Sequence, residues 1–155
     1  MPKPVISGCY LLINADETVS VMQLIDGADF DEAFRKYCDV NPTPVSWREI
    51  NRDEIPQDRT YRNAWRDTGT AIEHNMTHAR GIHMDRIRRQ RDRELVKLDV
   101  PFMRAMESGN GAEKAIAGQK RHLRDLPANF DLTSATTVEE LSRLWPEGLP
   151  RDRPN

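Results

Sequence analysis

Residues 77–127 read THARGIHMDRIRRQRDRELVKLDVPFMRAMESGNGAEKAIAGQKRHLRDLP, and the reading of this stretch decides the fold. Met84, Ile87, Arg91, Leu95, Leu98, Phe102 and Met106 follow one another at steps of three or four, which places them on one face of a helix. Arg91 interrupts that face. It either lays its stem over the apolar stripe or pairs with an acid across the hairpin. Pro101 either kinks the helix or falls in the first turn of a new one capped by Asp99, where its missing N–H is harmless. Ser108-Gly109-Asn110-Gly111 is a stop and a tight connection. In the next segment Ala112, Ile116, Gln119, Leu123 and Leu126 again share one face. Two amphipathic helices joined by so short a link fold back on each other, so the expectation is an antiparallel helical hairpin over 77–127. Its core would comprise Met84, Ile87, Leu95, Leu98, Phe102, Ile116, Leu123 and Leu126, with Leu95 meeting Leu123 across the hairpin.

Upstream, Val5–Ile13 is rich in β-branched and aromatic residues, Asn14–Glu17 is turn-forming, and Thr18–Leu24 alternates polar with apolar. That is the pattern of a β-hairpin. Asp29 or Asp31 can cap a short helix through Cys38 with Phe30, Ala33, Phe34 and Tyr37 at helical spacing, and Pro42 and Pro44 end it. Val45–Ile50 suits another strand, and Tyr61–Arg66 with Thr70–Glu73 a second small hairpin. Downstream of Pro127 the chain should run extended to Thr136 or Thr137. There TTVEELSRLWP offers a capping box, Thr136 over Glu139 or Thr137 over Glu140. A short helix over 137–145 would bury Val138, Leu141 and Trp145. The tail from Pro146 holds three of the ten prolines and reads as extended, ordered only when bound. The expected class is therefore α+β. A small β-rich module (1–70) precedes the hairpin (77–127), and an extended segment with a short helix and a proline-rich tail (128–155) follows.

Composition limits function. With 37% hydrophobic and 31% charged residues the chain can build only a thin core, and such chains often complete their burial against a partner or a copy of themselves. A net charge of −2 argues against a nucleic-acid binder acting through bulk charge. Six arginines lie between Arg80 and Arg93, but Asp85, Asp92 and Glu94 interleave with them. Nucleic-acid binding favours an unbroken cationic face, whereas interleaved acids favour ion pairs and protein contact. Arg86, Arg88, Arg89, Arg91, Arg93 and, on the second helix, Arg124 are the candidate protein-contact residues. Nothing at the N-terminus reads as a leader, and its apolar run is too short to cross a membrane. Cys9 and Cys38 read as small core residues in a reducing cytoplasm, with a Cys9–Cys38 disulfide as the alternative. His74 and His78 are four apart with Glu73 and His83 nearby, a spacing that suits a shared metal only on one continuous helix. Because His74 precedes the helix, a surface or pairing role is expected, with no metal and no cofactor. There is no GxSxG and no phosphate-binding glycine loop, so no catalytic residue is assigned and no enzyme is expected.

The segments IPQDRTYRNAW (55–65), MTHARGIHMDRIRRQRDRELVKLDVPFMRAMESGN (76–110) and IAGQKRHLRDLP (116–127) resemble small proteins of tailed bacteriophages from the tail or tail-fibre region. The half RIRRQRDRELVKLD…QKRHLRDLP is similar to the phage tail assembly chaperone domain, with Arg86, Arg89, Arg91, Leu95, Asp99, Leu123, Arg124, Asp125 and Pro127 at the matching positions. The resemblance spans roughly residues 55–145. It departs at 117–121, where the chaperone domain's tryptophan and tyrosine have no counterpart. The resemblance implies a non-enzymatic virion component of the tail or fibre-attachment region, made in the host bacterial cytoplasm. Its expected partners are other tail or fibre proteins and copies of itself, with no nucleic acid and no membrane. The alternative it implies is an assembly chaperone absent from the mature particle. Asp99 and Asp125 would serve as helix-end acids that pair with arginine or cap a neighbouring helix.

Overall fold

The computed structural model describes residues 8–151, and the chain divides into two compact units, with the boundary between Asn75 and Met76. It is an α+β protein, β-rich in the first unit and helical in the second.

In the first unit, strands β1 (Cys9–Ile13), β2 (Val19–Gln23) and β3 (Ser46–Ile50) form an antiparallel sheet in the order β2-β1-β3. Residues 5–7 of the expected first strand lie outside the described residues. Central β1 is covered on both faces, which explains why CYLLI is apolar throughout rather than alternating. Cys9 and Leu11 pack with Ile50, Ile55 and Trp65 on one side. Tyr10 and Leu12 pack with Leu24, Phe30, Phe34 and Tyr37 on the other. The second side is closed by helix α1 (Phe30–Val40), whose first turn is capped by the Asp29 carboxylate accepting from the Glu32 amide at 3.1 Å. Helix α1 ends at Asn41, before either proline. An aromatic cluster of Tyr10, Phe30 and Trp47, with ring centroids 4.4–5.7 Å apart, fixes α1 against the sheet.

A two-stranded sheet, β4 (Trp65–Asp67) and β5 (Ile72–His74), supplies the other cover, narrower than the hairpin expected over 61–73. Arg62–Ala64 form a 3-10 turn instead of strand. Its connection needs Gly69, whose φ of +88° suits glycine. Both cysteines are free thiols, Cys9 in the sheet core and Cys38 half-buried on α1.

The second unit is organised by helix α2 (Met76–Ser108), 33 residues and roughly 50 Å long at 1.5 Å per residue. Helix α2 runs unbroken through Pro101, so the restart at Asp99 does not occur. Pro101 sits on the exposed side, where water can replace the hydrogen bond that the ring removes. Gly109 and Gly111, at φ +60° and +82°, turn the chain back. Helix α3 (Glu113–Asn129) then packs on α2. Pro127 falls inside α3 rather than ending it, and the chain becomes extended only from Phe130.

Helix α4 (Val138–Arg143) is shorter than the expected 137–145 and also packs on α2. Thr137 accepts from the Glu140 amide at 3.2 Å, and the Glu140 carboxylate accepts from the Thr136 amide at 2.8 Å. The tail expected to run free is folded back as far as Arg151. Leu149 is buried, the Trp145 indole donates to its carbonyl at 2.8 Å, and Arg151 donates to the Ser142 and Arg143 carbonyls that α4 leaves open. Residues 152–155 lie outside the described residues.

Candidate protein-contact surface

The inner side of α2 is centred differently from the stripe expected. Ala79, His83, Ile87, Gln90 and Ala105 are its buried residues, whereas Met84, Leu95, Leu98 and Phe102 are half-buried and Met106 is 60% exposed. On α3 only Leu126 is fully buried, with Ile116 and Leu123 half-buried. Ala112 and Gln119 are exposed, and Lys120 takes the inward place instead. The hairpin is bridged by Lys120, whose ammonium lies 2.6 Å from the Asp99 carboxylate and 5.1 Å from the centre of the Phe102 ring. Asp99 is therefore a mid-helix cross-brace and not a helix-end acid. Asp125 lies inside α3, exposed, with no ion pair or hydrogen bond among the described residues.

His83 lies in the core and pairs there with the segment that covers α2. It is 1% exposed, its Nε2 lies 2.7 Å from the Leu144 carbonyl oxygen, and its ring meets Trp145 edge-on at 5.6 Å. A carbonyl only accepts, so Nε2 carries the proton and donates. Arg80 reaches the same covering segment, donating to the Leu132 and Ala135 carbonyls at 3.2 and 2.7 Å. These two side chains satisfy backbone groups of the extended segment over the first half of α2. Sequence periodicity could not show this, because the partners lie more than 50 residues away.

The arginines divide sharply. Arg91 makes its ion pair along its own helix and not across the hairpin. Its Nε lies 2.7 Å from the adjacent Asp92, without hydrogen-bond alignment, and its side chain is 19% exposed. Arg88 pairs with Asp85 at 2.9 Å along the helix, and Lys97 with Glu94 at 2.7 Å. Arg86 is half-buried, and Arg93 reaches Gln90 at 3.4 Å. Arg89 and Arg124 are exposed and take no ion pair or hydrogen bond among the described residues. Of the six contact candidates, Arg89, Arg93 and Arg124 thus stand most open to a partner.

Sequence reasoning missed the outer side of α2. Val96, Val100, Met103 and Met106 are 49–67% exposed. At 3.6 residues per turn, Val96, Val100 and Met103 fall within about 60° of one another, nearly opposite Ile87, Leu98 and Ala105. The signal was present: VKLDVPFM carries apolar residues at two helical phases, and only one can face α3.

In the first unit, a groove of about 370 Å³ runs along the open edge of β2, lined by Val19, Val21, Ile55, Trp65, Arg59 and Arg62 among others. Ser20, also on its wall, accepts from the Tyr37 hydroxyl at 3.0 Å. His74 accepts from the Trp65 indole at 3.1 Å and lies in β5, off the helix that carries His78. Among the described residues, no three histidine, cysteine, aspartate or glutamate side chains are grouped to hold a metal ion. Among the same residues no helix is long and apolar enough to cross a membrane. Comparison with protein-family models, with curated proteins and with solved structures finds no match to this chain.

Proposed function

We propose that this chain acts without catalysis, through protein–protein contact, as a structural or accessory component of a tailed-phage tail or fibre-attachment region. The observation that carries the contact reading is the exposed row Val96, Val100, Met103 and Met106 on the back of a helix whose front is already covered. Large apolar side chains aligned along a helix and rimmed by charge suit a protein partner. The charge pattern around them favours protein over nucleic acid, since Asp85, Asp92, Glu94 and Asp99 alternate with the cations. The resemblance of residues 55–145 to small tail-region proteins directs the reading to phage.

Mass spectrometry of purified particles tests it. The chain should be present at a fixed copy number relative to the major tail proteins. Its absence from particles, with binding to a fibre or tail chain in infected cells, would replace this reading with an assembly chaperone.

A further inference from the structure

We infer, building on the protein-contact reading, that the outer face of α2 pairs with the same face of a second copy, the two helices running antiparallel. The charges at the two ends of the apolar row are of opposite sign. Arg89 and Arg93 continue it toward the N-terminus of α2, and Glu107 continues it toward the C-terminus. Arg89 and Glu107 have no ion pair or hydrogen bond among the described residues, and Arg93 reaches only Gln90, at 3.4 Å.

A parallel pair would stack arginine on arginine and Glu107 on Glu107. An antiparallel pair with its two-fold axis at Leu98 reverses every one of these clashes. Val96 then faces Val100 on both sides of the axis, and Met103 lies on the aliphatic stem of the other copy's Arg93. The Glu107 carboxylate arrives level with the other copy's Arg89, one helical turn from its Arg93. Asp99 comes close to its own symmetry mate, but in each copy Lys120 already sits 2.6 Å from it and offsets its charge. A chemically unrelated partner has no reason to match this inverted order of charge, whereas a second copy matches it by symmetry.

The row from Arg89 to Glu107 is roughly 27 Å long at 1.5 Å per residue. Two helices meeting over that length bury less than the ~800 Å² per partner of a standard interface. The pairing is therefore weak, dependent on concentration and weakened by salt.

Sedimentation velocity on the full chain, from micromolar to submillimolar concentration, tests the pairing. The wild-type chain should move from monomer to dimer. Glu107→Arg alone, and Arg89→Glu with Arg93→Glu, should each weaken the dimer by at least tenfold with far-UV circular dichroism unchanged. An equimolar mixture of the two variants should restore it, because each then meets its opposite charge. A wild-type chain that stays monomeric throughout, or a dimer indifferent to both charge reversals, would overturn the pairing. A monomeric chain that is nevertheless present in particles would overturn the pairing alone and leave the contact reading standing.

Discussion

Arg48 is the residue on which the two sheets of the first unit turn. Its guanidinium donates to the Asp67 carboxylate of β4 from Nε and from a terminal nitrogen at 2.9–3.2 Å, and to Glu54 at 3.2 Å. The Arg48 hydrogen bonds hold the Asp67 carboxyl below its ordinary value of 3.8, helped by the Gly69 amide. Glu54 is held low first by the Asn51 amide and then by Arg48. A folded carboxyl below its unfolded value contributes stability that is complete above the unfolded value and is lost as pH falls through the folded one. Arg48→Met should therefore lower the thermal midpoint at neutral pH by roughly 5 °C. Its difference from wild type should narrow as pH drops below 4, followed by tryptophan fluorescence. A difference that stays constant across the acid range would show that Arg48 acts by packing and not by charge.

At the scale of elements, α2 is a spine whose second half is covered by α3, while α4 and the folded-back tail close over His83 and Arg80 in the first half. His83→Leu keeps most of the volume but leaves the Leu144 carbonyl without its donor, a loss of about 1–3 kcal/mol. Amide exchange over residues 144–151 should accelerate by roughly tenfold or more, since local opening sets that rate. Unchanged exchange there would mean that the tail is held by Leu149 and Trp145 alone. The short elements were legible because their signals are local: Asp29 before Phe30, Thr137 before Val138, the turn at Asn14–Glu17, and the glycines at 109 and 111. The phase of α2 was harder to read. Leu95, Leu98 and Phe102 compete with Val96, Val100 and Met103 at the same period, and only packing decides which set is buried. Pro127 and the tail prolines argued for extended chain. Pro127 nevertheless lies within α3, and Arg151 folds the tail back through carbonyls that no sequence pattern announces.

At the scale of the whole molecule, the chain divides into two compact units with the boundary between Asn75 and Met76, and Leu132, Ala135, Val138, Leu141 and Leu149 of the segment after α3 are buried in the second. The candidate site was half legible. Arg89 and Arg93 stood out in the sequence, but Glu107 and the outer valines gain meaning only once α3 claims the other face of α2. The antiparallel pairing of α2 is tested most directly by dipolar distances between spin labels. Labels are placed singly at Lys97 and at Arg104 in a chain carrying Cys9→Ala and Cys38→Ser. With the two-fold at Leu98, labels at Lys97 are offset by only about 3 Å along the helix axis and those at Arg104 by about 18 Å, at 1.5 Å per residue. The Arg104 pair should therefore be clearly the longer. Equal distances at the two positions would mean a parallel pair, and no dipolar coupling at submillimolar concentration would mean that the outer face of α2 does not meet its own copy.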